Sequence, residues 1–233
     1  DLTDPLAPRP WAAERYAMGS RDQVSAGVLN YGDGHVIELA FVAEELPPMG
    51  YKTYRLLPAS NWPQFDALLQ ATPHGLENRF FALKLDEESG EVLSLTDKRT
   101  GRQWVDEQAA WGLNRVLSRS PRSAEVEAAG ASSIEVTQTG PVLASVMIRG
   151  QAPGCPQRTQ EIVIYDRLDR VDFSTRLLKD ASPFHELYVA FPFALDHPQF
   201  QYEGSNATVR PVKDQLPGSN TDAYAVQHWV SAQ

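Results

Sequence analysis

Residues 214–233 read DQLPGSNTDAYAVQHWVSAQ, and they bring Asp214, Gln215, Asn220, Asp222 and His228 into one short stretch. Carboxylates and amides supply the acceptors and donors that a hydroxyl-rich ligand needs. Tyr224 or Trp229 adds a ring on which a sugar face can stack. These residue types in this pattern point to carbohydrate binding. The same stretch also has a structural reading. Pro217, Gly218, Ser219 and Asn220 form a turn sequence. Alternation from Tyr224 then describes a new strand, with Tyr224, Val226 and His228 on one face and Ala223, Ala225, Gln227 and Trp229 on the other.

Other polar clusters are weaker candidates for chemistry. Asp166, Asp169 and Asp172 lie in YDRLDRVDF, but calcium loops carry denser oxygen ligands and a glycine, and here Arg167 and Arg170 interleave. A polar hairpin turn is the simpler reading. His185 and Glu186 are neighbours just before a strand, so their side chains point to opposite faces and do not act together. Glu77 and Asn78 suit either a sugar or the start of a strand. Cys155 sits in QAPGCPQR, a Pro/Gly loop with no acid–base partner near it in sequence. As the single cysteine it excludes an internal disulfide and a thiolate cluster for zinc. The histidines are His35, His74, His185, His197 and His228, and none stands in a motif for catalysis. No catalytic residue and no metal ligand is assigned to this chain.

Composition narrows the classes further. With 233 residues, 42% of them hydrophobic, the chain can bury one large core or two smaller ones. The formal net charge of −9 argues against nucleic acid or an anionic membrane as partner, since both require Lys/Arg patches. Apolar runs are too short to span a bilayer, and no signal peptide is visible, so a cytoplasmic setting is expected.

The elements that must position these residues have a period of two. Residues 79–85, 91–97, 132–139, 141–150, 159–166, 170–178 and 186–193 carry β-branched and aromatic residues in near alternation. DEESG (86–90) and DKRTG (97–101) each end in a glycine suited to a positive φ and are expected to close hairpins. Short strands with such turns describe an all-β, antiparallel sandwich. Aromatics mostly alternate with apolar partners, as core residues do. Helical signal is confined to AAERYAM near the start and FDALLQA at 65–71. Residues 35–57 read as two strands joined by a Pro47-Pro48-x-Gly50 turn. The expected organisation is a small β-domain over 1–60, a linker over 61–76 and a large β-sandwich over 77–233.

GLENRFFALKLDEESGEVLSLTDKRTGRQWV (75–105) resembles the opening of the large C-terminal β-domain of glycoside hydrolase family 38, the α-mannosidases. Leu76, Glu77, Asn78, Asp86, Gly90, Ser94, Leu95, Asp97, Lys98 and Gly101 carry the likeness. LAFVAEELPPMGYKTYRL upstream is similar to the preceding small β-domain, ELYVAFPFAL (186–195) to a later strand, and DQLPGSNTDAYAVQHWV (214–230) to a late motif of bacterial members. The resemblance implies a galactose-mutarotase-like supersandwich. It also implies that catalysis belongs to an N-terminal β/α barrel of the same polypeptide, with an aspartate nucleophile and a divalent metal, usually zinc. The chain is then expected to be a fragment, cut at the C-terminus, with no cofactor of its own and with that barrel and carbohydrate as partners. A free-standing carbohydrate-binding module and a mutarotase-like sugar epimerase are the alternatives.

Overall fold

The computed structural model describes residues 24–31, 34–54, 68–121, 125–181, 185–221 and 223–233. Among them there are sixteen strands and no helix, and all strand pairs are antiparallel. The all-β expectation holds. The chain clusters into two compact units, Asp1–Pro192 and Phe193–Gln233. The linker expected over 61–76 falls partly outside the described residues.

In the first unit, β1 (Val24–Tyr31) and β2 (Gly34–Phe41) form a hairpin. The turn at Pro47 is present and is closed by Gly50 N–H donating to Pro47 O at 3.1 Å. It is Met49 that takes the positive φ, 56°. The second strand expected after this turn does not form over 51–54, and 55–57 lie outside the described residues. AAERYAM also lies outside them. The helical turn read at 65–71 is corrected where it is described: β3 (Gln70–Thr72) is a strand because it pairs with β4 (Gly75–Glu77), a tertiary pairing that outweighs local propensity.

A four-stranded sheet runs in the order β3-β4-β5-β6, with β5 (Phe81–Leu85) and β6 (Val92–Asp97) joined through the 86–90 turn. The strands β7 (Arg115–Arg119) and β8 (Val126–Ala128) follow. Next come β9 (Ala131–Thr139), β10 (Leu143–Ala152), β11 (Cys155–Tyr165) and β12 (Val171–Leu178), in the sheet order β12-β11-β10-β9. Finally β13 (Glu186–Ala190) pairs with β7 in a three-stranded sheet, β13-β7-β8. QAPGCPQR is not the loop it was read as. The strands run through it from both sides and leave only Pro153 and Gly154, at φ 71°, to turn the chain. Pro156 is tolerated because pairing of β11 with β12 begins one residue later, at Gln157.

Between the two four-stranded sheets lies an aliphatic core. Leu76, Leu83, Leu85, Val92 and Leu95 face Ala144, Val146, Ile148, Ile162 and Ile164, all nearly inaccessible to water. Full burial of each large side chain is worth about 1.5–3 kcal/mol. Rings stand at its margin instead of its centre. Phe81, Trp104 and Phe173 are only partly buried against it, while Tyr188 and Phe191 are exposed. The expectation that aromatics alternate into the core is therefore corrected: Val, Leu and Ile side chains fill the space between the sheets, and the rings pack against its margin.

The core face of β10 and β11 ends in a polar row. Ile148 pairs with Gln160, and Gly150 with Arg158. Arg158 is 1% exposed. Its guanidinium donates to Gln160 Oε1 and, at 2.6 Å, to Gly130 O. Gln160 Nε2 reaches Asn114 O at 2.7 Å. Burial and the nearby Arg115 charge push the Arg158 pKa down.

In the second unit, β14 (Phe200–Gly204), β15 (Ala207–Val209) and β16 (Val230–Ala232) form a sheet in the order β15-β14-β16. The strand read from Tyr224 actually begins at Val230, where pairing with Tyr202 becomes available.

Candidate functional site

The terminal segment carrying the sequence candidates is an exposed loop between β15 and β16. Asp214 forms a two-pronged ion pair with Arg210, with Nη2–Oδ1 at 2.8 Å and Nε–Oδ2 at 3.0 Å, and its Oδ2 also accepts from Arg210 N–H. Those bonds hold its carboxyl at a pKa of about 2. Gln215 braces the same loop. Its Oε1 accepts from Val212 N–H at 2.8 Å, and its Nε2 donates to Asn220 O at 3.2 Å. Asn220 is exposed beside the turn that Gly218 makes at φ 84°. His228 pairs through Nδ1 with Glu203 Oε2 at 2.9 Å and is 80% exposed, so it is not packed against Tyr224 as alternation implied. Tyr224 instead lies on Tyr202, ring centroids 5.3 Å apart. Asp222 lies outside the described residues. Asp214, Gln215 and His228 therefore direct polar atoms at neighbours within their own unit.

Residues weighed elsewhere resolve as structure. The three aspartates near 166–172 do not converge. Buried Asp166 binds Arg79 Nη2 at 3.0 Å, Asp169 binds Arg99 at 2.7 Å, and Asp172 accepts from the Tyr165 hydroxyl at 2.6 Å. Asn78 is fully buried: its Oδ1 accepts from Phe80 and Phe81 N–H, and its Nδ2 reaches Tyr165 O. Glu77 pairs with Lys98 at 2.7 Å. His185 Nδ1 lies 3.3 Å from Ser118 Oγ, whereas Glu186 turns to Arg119 and Tyr188. Burial pushes the Cys155 thiol up, away from a reactive thiolate.

One feature escaped the sequence reading. The chain between β6 and β7 folds back along β6, and a cleft of about 410 Å³ opens beside it. Lys84 and Ser94 line it from β5 and β6, and Glu91, Asp106, Glu107 and Trp111 line it from the connecting loops. Its signal in the sequence was Trp111 a few residues after Asp106 and Glu107, in a segment without alternation. Another cleft, of about 240 Å³ near Pro73 and His74, has no Trp, Tyr or Phe in its wall.

The geometry defines an antiparallel β-sandwich domain. A family model described as the glycosyl hydrolases family 38 C-terminal domain matches residues 76–233, and the chain belongs to that family. The match begins at Leu76, the core residue of β4. A comparison with curated proteins gives no match.

Proposed function

We propose that this chain is the β-domain that works beside the catalytic barrel of an α-mannosidase-type glycosidase, bracing that barrel and contributing to carbohydrate binding. The observation that carries this reading is the family match over residues 76–233. Hydrolysis of α-mannosides with retention needs a carboxylate nucleophile and a separate proton donor about 5–5.5 Å apart on one site. The carboxylates described above are held in separate ion pairs and turn bonds, so this reading gives both roles to the barrel. The same holds for zinc. Among the described residues no group of three or more His, Cys, Asp or Glu side chains is placed to hold a metal ion. This reading leaves the metal to the barrel and gives the chain the role of positioning and binding. Within that role the bonds of Asp214 to Arg210 and of Gln215 to Val212 and Asn220 shape the edge that residues 214–221 would present to a substrate.

The test is turnover of an aryl α-mannoside. The purified chain alone should show none, and the chain joined to a family 38 catalytic barrel should show turnover that a chelator abolishes. Metal-dependent hydrolysis by the chain alone would overturn the division of labour. Mutarotation of galactose or glucose above the buffer rate would replace it with an epimerase.

A further inference from the structure

We propose that the cleft between the outer face of β5–β6 and the 105–112 loop is a binding site for a neutral pyranose. Its volume, about 410 Å³, lies in the range of small-molecule pockets. Half-buried Trp111 supplies an apolar wall for the C–H face of a sugar ring. Some of the polar groups around it are left unused by the protein. Among the described residues the side chains of Lys84 and Glu107 have no ion pair or hydrogen bond, and the Trp111 indole N–H has no acceptor. Asp106 uses Oδ1 to accept from Gln108 N–H at 3.0 Å, which leaves Oδ2 open. Glu91 turns Oε2 to Gly112 N–H at 3.0 Å and towards Arg115 at 3.6 Å.

The loop is also preformed. Val92 and Leu113 exchange backbone hydrogen bonds at 2.8 and 3.1 Å, Trp104 N–H bonds Leu95 O at 2.8 Å, and Asp106 N–H bonds Pro192 O at 2.9 Å. Val105 is buried beneath it. Little ordering is therefore left for a ligand to impose. Glu91, Asp106 and Glu107 outnumber Lys84 and the Arg115 that faces Glu91, and so disfavour phosphorylated, sulfated or acidic sugars. They accept charge-assisted bonds from sugar hydroxyls, and Lys84 donates to a ring or hydroxyl oxygen. The assignment stands on the cleft itself and holds whether or not the chain serves a glycosidase.

Saturation-transfer NMR on the whole chain tests it, with methyl α-D-mannopyranoside, the corresponding methyl glucoside and galactoside, and mannose 6-phosphate as probes. A neutral glycoside should show transfer with a Kd of about 1 mM. Trp111→Ala should weaken it about tenfold, the value of one stacked ring. Because Trp111 is half-buried, Glu107→Ala and Lys84→Met carry the test independently. Both side chains are exposed, so melting should stay near wild type while binding falls about threefold or more. Absence of transfer from every neutral glycoside would overturn the assignment. So would binding unchanged in both surface variants, or binding confined to mannose 6-phosphate.

Discussion

The carboxylates of this chain differ sharply in what holds them, and that sets what each substitution does. Asp166 is fully buried and answers Arg79 and the Leu68 N–H, while the Arg79 side chain is 39% exposed. Asp166→Ala should cost about 2–3 kcal/mol, because the abandoned guanidinium still reaches water. Urea denaturation should show a lower midpoint at unchanged m-value. Asp214 behaves otherwise. Its pKa is lowered from 3.8 to about 2, chiefly by the Arg210 side chain. A depressed carboxylate stabilises above its unfolded pKa, so the brace is complete above about 3.8 and is lost as pH falls through about 2. The pair is open to solvent, so the readout is local. The Arg210 N–H resonance should titrate with a midpoint near 2, and Asp214→Asn should remove that step with little change in global melting. Residue type alone marked Asp214, Gln215 and His228 as polar and available. It did not show that each would be bonded within its own unit, because Arg210, Val212 and Glu203 become partners only once the loop closes.

Elements obeyed local rules wherever the two faces of a strand contrast. In β5, Leu83 and Leu85 are buried while Lys84 between them is exposed. In β6 the alternation of 91–97 located the strand to within a residue, although a bulge at Leu93, between the pairs Leu85–Val92 and Lys84–Ser94, shifts its buried set to Val92, Leu95 and Asp97. The turns were legible for the same reason: Gly90 and Gly101 both take positive φ, 74° and 72°. They are not equivalent in packing. A Cβ on Gly90 would lie 2.6 Å from Ile148 Cγ2, whereas one on Gly101 would meet nothing within 4 Å. Gly101→Ala should therefore cost only the backbone term, about 1 kcal/mol. Gly90→Ala should cost several times that, since Ile148 belongs to the packed core. Thermal melts of the two variants check the contrast. The short strands were not legible. β3 and β16 have three residues each and exist through pairing with β4 and β14. The start of β11 was hidden because Pro156 in a loop-like sequence gives no sign that the ladder with β12 has yet to begin. The Trp111 cleft was missed because its lining comes from β5, β6 and the loop between β6 and β7, brought together only by the fold.

At the scale of the whole molecule, the family and the all-β architecture agree, and the net charge of −9 is compatible with neutral polyhydroxylated ligands. The proposed division of labour predicts that joining a catalytic barrel restores mannoside hydrolysis, while cleft variants of the isolated chain change sugar affinity and leave the sandwich intact. The placement of rings around an aliphatic interior has an optical consequence. The chain has five tryptophans. Of the three described, Trp104 packs at the core margin under Arg102 at 4.1 Å, Trp111 lines the cleft and Trp229 is 40% exposed. None of these indoles lies inside the Val/Leu/Ile layer. Their emission should therefore shift less on denaturation than that of indoles inside a core, and a change on adding a sugar that disappears in Trp111→Ala would report the cleft wall. Circular dichroism of the backbone follows the sheets; these fluorophores follow the periphery.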